Sequence, residues 1–201
     1  MNAVGGEDMR TTTDILTTYL GDMIAAQNHL LKMVDHQLAD SQVNTYAPVQ
    51  EFLPPLRSAL RRHASDLEQR LSELGGSVSA NVKEAITAAT GIAAGLFGRI
   101  RPHAASKSLR DDYILLSGCS IGYEMLHATA LALRDKKTAD LALEHFKEVT
   151  PMIVRLSEII PAIIVHELTH DVAGVDAGAA LVARANTQHA WSGEHVHAHD
   201  G

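Results

Sequence analysis

The stretch LRSALRRHASDLEQRLSELGG, residues 56–76, decides the fold. Its apolar residues recur every three or four positions, the period of an amphipathic helix with one face in a core. The Gly-Gly pair at its end predicts a helix stop, because glycine readily adopts the left-handed conformation of a C-cap. The face consists of Leu56, Leu60, His63, Leu67, Leu71 and Leu74, of which His63 alone is polar.

Three more segments show this period. Residues 11–39 predict the first helix, capped by Thr12 or Thr13. The apolar face of each helix is called its seam, and the seam of the first helix carries one polar residue, Gln27.

Proline lacks the amide proton that a helix interior needs. We therefore expect Pro54-Pro55 at an end or kink of the second helix, and a bend or break in the fourth at Pro151 and Pro161.

The third helix is predicted from a capping box at 108–111 to about Arg134, and the fourth from Thr138 after a very short turn. The long connection over 77–107, with a weaker helix near 82–97, lets the second and third helices run parallel. The sequence thus predicts an all-α chain: a four-helix bundle with a long crossover between helices two and three.

The predicted bundle covers residues 11–170. Residues 1–10 are expected to be a flexible N-terminus, and 171–201 an extension ending in a disordered, histidine-rich tail. In that tail His195, His197 and His199 alternate with other residues, a pattern that collects metal ions loosely when it is more than a solvated end.

Composition limits the function. The 201 residues carry a net charge of −7, which disfavours nucleic acid and anionic membrane as partners. The most apolar run, 149–165, is interrupted by Arg155, Glu158 and two prolines, so no membrane span is expected. A single cysteine and no signal-like N-terminus fit the cytoplasm. The sequence does not identify a small-molecule substrate.

Polar residues on or beside the seams are the candidate site. Buried polar groups need partners, and a metal ion is one way to supply them. The Glu-x-x-His spacing of Glu124 and His127 is the one used by di-metal bundles, which carry it on two helices. The candidate metal ligands are Gln27, His63, Glu124, His127, His145 and Glu148.

Three segments resemble the ferritin-like stress-protein family typified by YciF: DMIAAQNHLLK at 22–32, LEQRLSELGG at 67–76 and GYEMLH at 122–127. The resemblance covers roughly residues 12–160. It implies a dimeric four-helix bundle, here a homodimer, with a di-metal carboxylate centre and a link to stress responses.

The family's ligand positions are only half retained. Its carboxylates fall on Gln27 in the first helix, near Arg61 and Arg62 in the second, on Glu124 in the third and on Glu148 in the fourth. A di-metal centre brings about four positive charges, which two carboxylates do not balance. The pattern favours either one divalent ion (iron, manganese or zinc) or a metal-free polar layer that fixes helix register.

A competing motif is His166-Glu-Leu-Thr-His170, a literal H-E-x-x-H. Two histidines four apart on a helix bind one zinc ion, and the glutamate between them activates water. A third ligand is not in place at the spacing of the extended motif, and no upstream strand is predicted to hold a peptide substrate. A zinc hydrolase therefore remains the alternative to the ferritin-like bundle.

Overall fold

A computed structural model describes residues 10–77 and 104–192, and every regular element within them is a helix. The helices are α1 (Thr12–Ala39), α2 (Ala47–Glu73), α3 (Ala104–Ala132), α4 (Lys136–Asp171) and α5 (Ala179–Ser192). They pack as a bundle in which α1 contacts α2 and α3, while α4 contacts α2, α3 and α5. The predictions for residues 1–9, for a helix near 82–97 and for the tail histidines lie outside the described residues.

Contacts between helix ends give the directions. Arg70, near the end of α2, bonds Asp135 at the start of α4 at 2.6 Å. Gln37, near the end of α1, bonds Asp112 in the early part of α3 at 2.9 Å. Both pairs are therefore antiparallel. Because a short turn makes α3 and α4 antiparallel as well, α2 and α3 point the same way.

The helix ends differ slightly from those predicted. Thr11, not Thr12 or Thr13, caps α1, and it forms a reciprocal capping box with Asp14. Gly75 has φ +77°, and the amide of Gly76 bonds the carbonyl of Leu71, so the Gly-Gly pair closes α2 as expected. The predicted capping box at 108–111 is wrong, because α3 begins at Ala104.

The prolines do not interrupt their helices. Pro54 and Pro55 lie inside α2, and Pro151 and Pro161 lie inside α4. In α2 the carbonyls that lose a donor belong to Gln50 and Glu51, two exposed residues. Water can bond those carbonyls, so the helix loses less than it would in the core. Helix α5 was also missed, because its residues fall in the extension and tail over 171–201, where no helix was expected.

Leucine is the most frequent residue of the core, and Leu20, Leu30, Leu60, Leu67 and Leu116 of the predicted seams have no exposed surface. One described helix, α4, is long and apolar enough by length and composition to cross a membrane, with a mean hydropathy of 1.5 over 18 residues. Core helices pass the same test, and α4 packs against three others. Only 28% of that window is buried, and the exposed residues of α4 include the apolar Val154, Ile164 and Leu168.

Candidate functional site

A polar layer crosses the interior of the bundle. Each long helix contributes one fully enclosed polar side chain: Gln27 from α1, His63 from α2, Tyr123 from α3 and His145 from α4. At most 1% of each residue is exposed. Periodicity placed Gln27 and the two histidines on the buried seams, and the structure confirms those three positions.

The two histidines stack face to face. Their ring centroids lie 4.0 Å apart with the planes inclined by 19°. The Tyr123 ring meets both edge-on, at 5.9 Å from His63 and 5.3 Å from His145. The Tyr123 ring closes the layer from the α3 side.

Each histidine bonds a carboxylate on the other's helix. His63 Nε2 lies 2.9 Å from Glu148 Oε2, and His145 Nε2 lies 3.3 Å from Asp66 Oδ2. Both carboxylates follow their own helix's histidine by three residues. Because α2 and α4 are antiparallel, that equal spacing makes the two bonds reciprocal.

Burial sets the charge of the layer. It lowers the pKa of His63, and the bond to Glu148 opposes this only in part. Burial, followed by the adjacent His63, lowers the pKa of His145 to about 4. Both rings are therefore neutral at neutral pH, with each Nε2–H donating to its carboxylate.

The carboxylates lie at the rim of the layer, where water reaches them. Side-chain exposure is 34% for Glu148 and 39% for Asp66. Burial alone would raise the pKa of Glu148, but bonds from His63 and Arg62 hold it below its ordinary value. The Arg62 guanidinium donates to the same Glu148 oxygen as His63.

Several inward-facing atoms lack a protein partner within the described ranges: both amide atoms of Gln27, the Tyr123 hydroxyl, and Nδ1 of His63 and His145. The Gln27 amide lies close enough to the Tyr123 hydroxyl to affect its pKa, although burial dominates and raises that pKa. The histidine Nδ1 atoms and Gln27 Oε1 are acceptors, and Gln27 Nε2 and the Tyr123 hydroxyl are donors. Small rotations or a bridging water would pair them.

Two of the six candidate ligands lie elsewhere. Glu124 is exposed, and His127 Nδ1 lies 2.8 Å from the carbonyl of Ala139 near the α3–α4 turn. The expectation that all six converge is therefore wrong for these two, because position 124 faces away from the seam. Asp66 was missed. The sequence feature that could have identified Asp66 is its position three residues after His63, which repeats the position of Glu148 three residues after His145.

The layer does not fit a di-metal carboxylate centre. Such a centre needs about four carboxylates, and among the described residues only Glu148 and Asp66 reach the layer. The guanidinium of Arg62 forms an ion pair with Glu148, so one of these two carboxylates already has a positive partner. Within residues 10–77 and 104–192, no three His, Cys, Asp or Glu side chains gather in a way that could hold an ion.

The H-E-x-x-H motif lies at the end of α4, and its glutamate has a structural role. Glu167 is buried, and its Oε1 accepts the backbone amides of Ala105 at 3.1 Å and Ser106 at 3.3 Å. These amides belong to the first turn of α3, so Glu167 caps that helix from across the bundle. His166 and His170 are exposed. The contacts of Glu167 do not support the role of a zinc-hydrolase base.

Comparison with known proteins gives no relative: no family model matches the chain, and neither a curated protein nor a solved structure resembles it significantly.

Proposed function

We propose that this chain is a ferritin-like, stress-associated helical-bundle protein whose metal centre is reduced to a metal-free layer of histidines and carboxylates. It acts through its surfaces and not as an oxidase. The proposal rests on the resemblance of three helix segments to that family and on the polar layer formed by all four long helices. A homodimer is part of the proposal on the strength of the same resemblance, and a cytoplasmic location is part of it because the chain has a single cysteine.

The observation that carries the proposal is the reciprocal bonding of the two histidines. Nε2 of each ring is directed at a carboxylate on the opposite helix, at 2.9 and 3.3 Å. Nearly parallel rings 4.0 Å apart direct their in-plane lone pairs along separate lines, so they are poorly placed to share one ion. The pairs instead fix the register of α2 against α4, a known use of buried polar groups.

Arg62 supports the same conclusion. Its guanidinium supplies, at Glu148, the positive charge that a metal ion would otherwise bring. The resemblance aligns a family carboxylate with this part of α2. Replacing a carboxylate by an arginine there removes a ligand and repels a cation, and both effects oppose metal binding.

Metal content tests the proposal. The untagged protein carrying His166→Gln, His170→Gln and substitutions of the three tail histidines should contain no stoichiometric iron, manganese or zinc by mass spectrometry. Its melting temperature should not change when these ions are added. The matched control adds His63→Gln and His145→Gln. A single tightly held ion that is present before these two changes and lost after them would overturn the proposal in favour of a one-metal bundle.

A size-exclusion measurement with light scattering tests the oligomeric part separately. The expected mass is twice the chain mass of 21.6 kDa. A monomer at micromolar concentration would remove the homodimer from the proposal and leave the core layer untouched.

A further inference from the structure

We infer that His166 and His170 form a surface chelate for one divalent transition-metal ion, separate from the polar layer. The site does not depend on the function proposed above. Its ligands are two imidazoles, its remaining positions belong to water, and its ion class is the one that prefers imidazole: zinc, nickel or copper.

The separation of the two rings carries the inference. Their centroids are 5.0 Å apart, with the planes inclined by 69°. Two imidazoles bound to one ion at about 2.1 Å, with an angle of roughly 90–110° between them, place their centroids about 4.5–5.2 Å apart. The free chain therefore already holds the rings at the spacing of a chelate. Histidines four apart on a helix lie on one face, which is why the motif can do this.

The orientation of each ring is also fixed by its neighbours. His170 Nδ1 lies 3.0 Å from the carbonyl of His166 and donates to it, which leaves the Nε2 lone pair for a metal. The Tyr46 ring packs at right angles on His166, with centroids 5.0 Å apart. Both histidines are exposed, so an ion reaches them without any movement of the bundle.

Glu167 separates this site from a hydrolase. Oε1 of its buried carboxylate accepts the amides of Ala105 and Ser106 at the start of α3. A zinc-bound water at the two histidines would then lack the general base that the motif supplies in proteases. The site binds a metal ion and does not activate water for peptide cleavage.

Titration of the full-length protein tests the inference. All samples carry glutamine at the three tail histidines, so that those residues do not compete for metal. Calorimetry with Zn²⁺ should show one ion per chain. Loss of a residue that only supports a metal ligand weakens metal binding by about 10- to 100-fold. His166→Gln and His170→Gln each remove a ligand itself, so each should weaken zinc binding by at least this factor. His36→Gln, at an exposed histidine near the end of α1, is the matched control and should change nothing.

Cu²⁺ provides a second readout, since its electron paramagnetic resonance spectrum reports the number of bound nitrogens. Two nitrogens are expected in the parent and fewer than two in each single variant. Parent protein that binds no ion, or single variants that retain the parent's affinity, would overturn the inference. The core histidines are the same in the parent and in the single variants, so the difference between them does not depend on the outcome of the metal-content test.

Discussion

The imidazole of His63 stacks on that of His145 at 4.0 Å, and each ring bonds a carboxylate carried by the other's helix. Protonation of both rings would place two positive charges in contact inside the core. The neutral pair is therefore the stable form of the bundle, and its stability depends on pH.

Acidification should destabilise the protein through this pair. The folded-state pKa of both histidines is below the ordinary value of 6.5, about 4 for His145, so the unfolded chain binds more protons between these values. The stability they contribute is complete above pH 6.5 and is lost as the pH falls towards 4. The loss should be on the order of a few kcal/mol. Urea unfolding at pH 7.5, 6, 5 and 4 measures it as the difference between the wild type and a variant that lacks both rings.

The control for this prediction is His63→Leu/His145→Leu. Replacing both rings with apolar residues removes the titrating groups and leaves the carboxylates facing water, which costs less than removing one partner alone. The variant should lose much less stability between pH 6.5 and 4. An identical pH dependence in the two proteins would show that other groups are responsible.

Glu148 and Arg62 bond each other but should differ in importance. Glu148→Ala leaves His63 Nε2 without its acceptor, and His63 has no exposed surface. The expected loss in free energy of unfolding is about 1–3 kcal/mol. Arg62→Ala removes a half-exposed side chain from a surface ion pair and should cost less than about 1 kcal/mol. Denaturant melts of both, beside the exposed Glu144→Ala, test the order, and equal losses would contradict it.

The cap on α3 gives a prediction that also separates the bundle from a hydrolase. Glu167→Ala removes the acceptor for two first-turn amides of α3 and should lower the free energy of unfolding by about 1–2 kcal/mol. Glu124→Ala, at an exposed glutamate that the sequence suggested as a ligand, should have little effect. Thermal melts compare them. If the wild type cleaved peptides and Glu167→Gln abolished that cleavage, the zinc-hydrolase hypothesis would be supported instead.

The sequence predicts the apolar faces well because helix burial follows a short period. His63, Gln27 and His145 lie where that period places them. The sequence predicts hydrogen-bond partners poorly, because a partner lies on another helix. The packing of the two helices sets their register and so decides which residues meet. Asp66 and the role of Glu167 depend on such registers. The expected helix end or break at the prolines was wrong for a related reason: the cost of a proline depends on whether the freed carbonyl can reach water, and in α2 these carbonyls belong to the exposed residues Gln50 and Glu51.

Asp112 should respond to pH in the opposite direction from the histidines. It has no exposed surface, and Gln37 donates to its Oδ1 at 2.9 Å. Burial raises its pKa to about 7, against the bond from Gln37. A carboxyl with a raised folded-state pKa contributes stability that is complete below its ordinary value of 3.8 and is lost as the pH rises through 7.

Asp112→Asn removes that titration, because an amide resembles the protonated acid in shape and charge. The variant should match or fall slightly below the wild type at pH 4 and exceed it at pH 8, by on the order of a few kcal/mol. The exposed Asp140→Asn serves as the control and should shift neither end. Comparing variant with wild type at each pH cancels the contribution of the histidines. If the variant were less stable than the wild type at pH 8, contacts of the ionised carboxylate would have to stabilise the fold by more than burial of the charge destabilises it. That result would contradict the prediction.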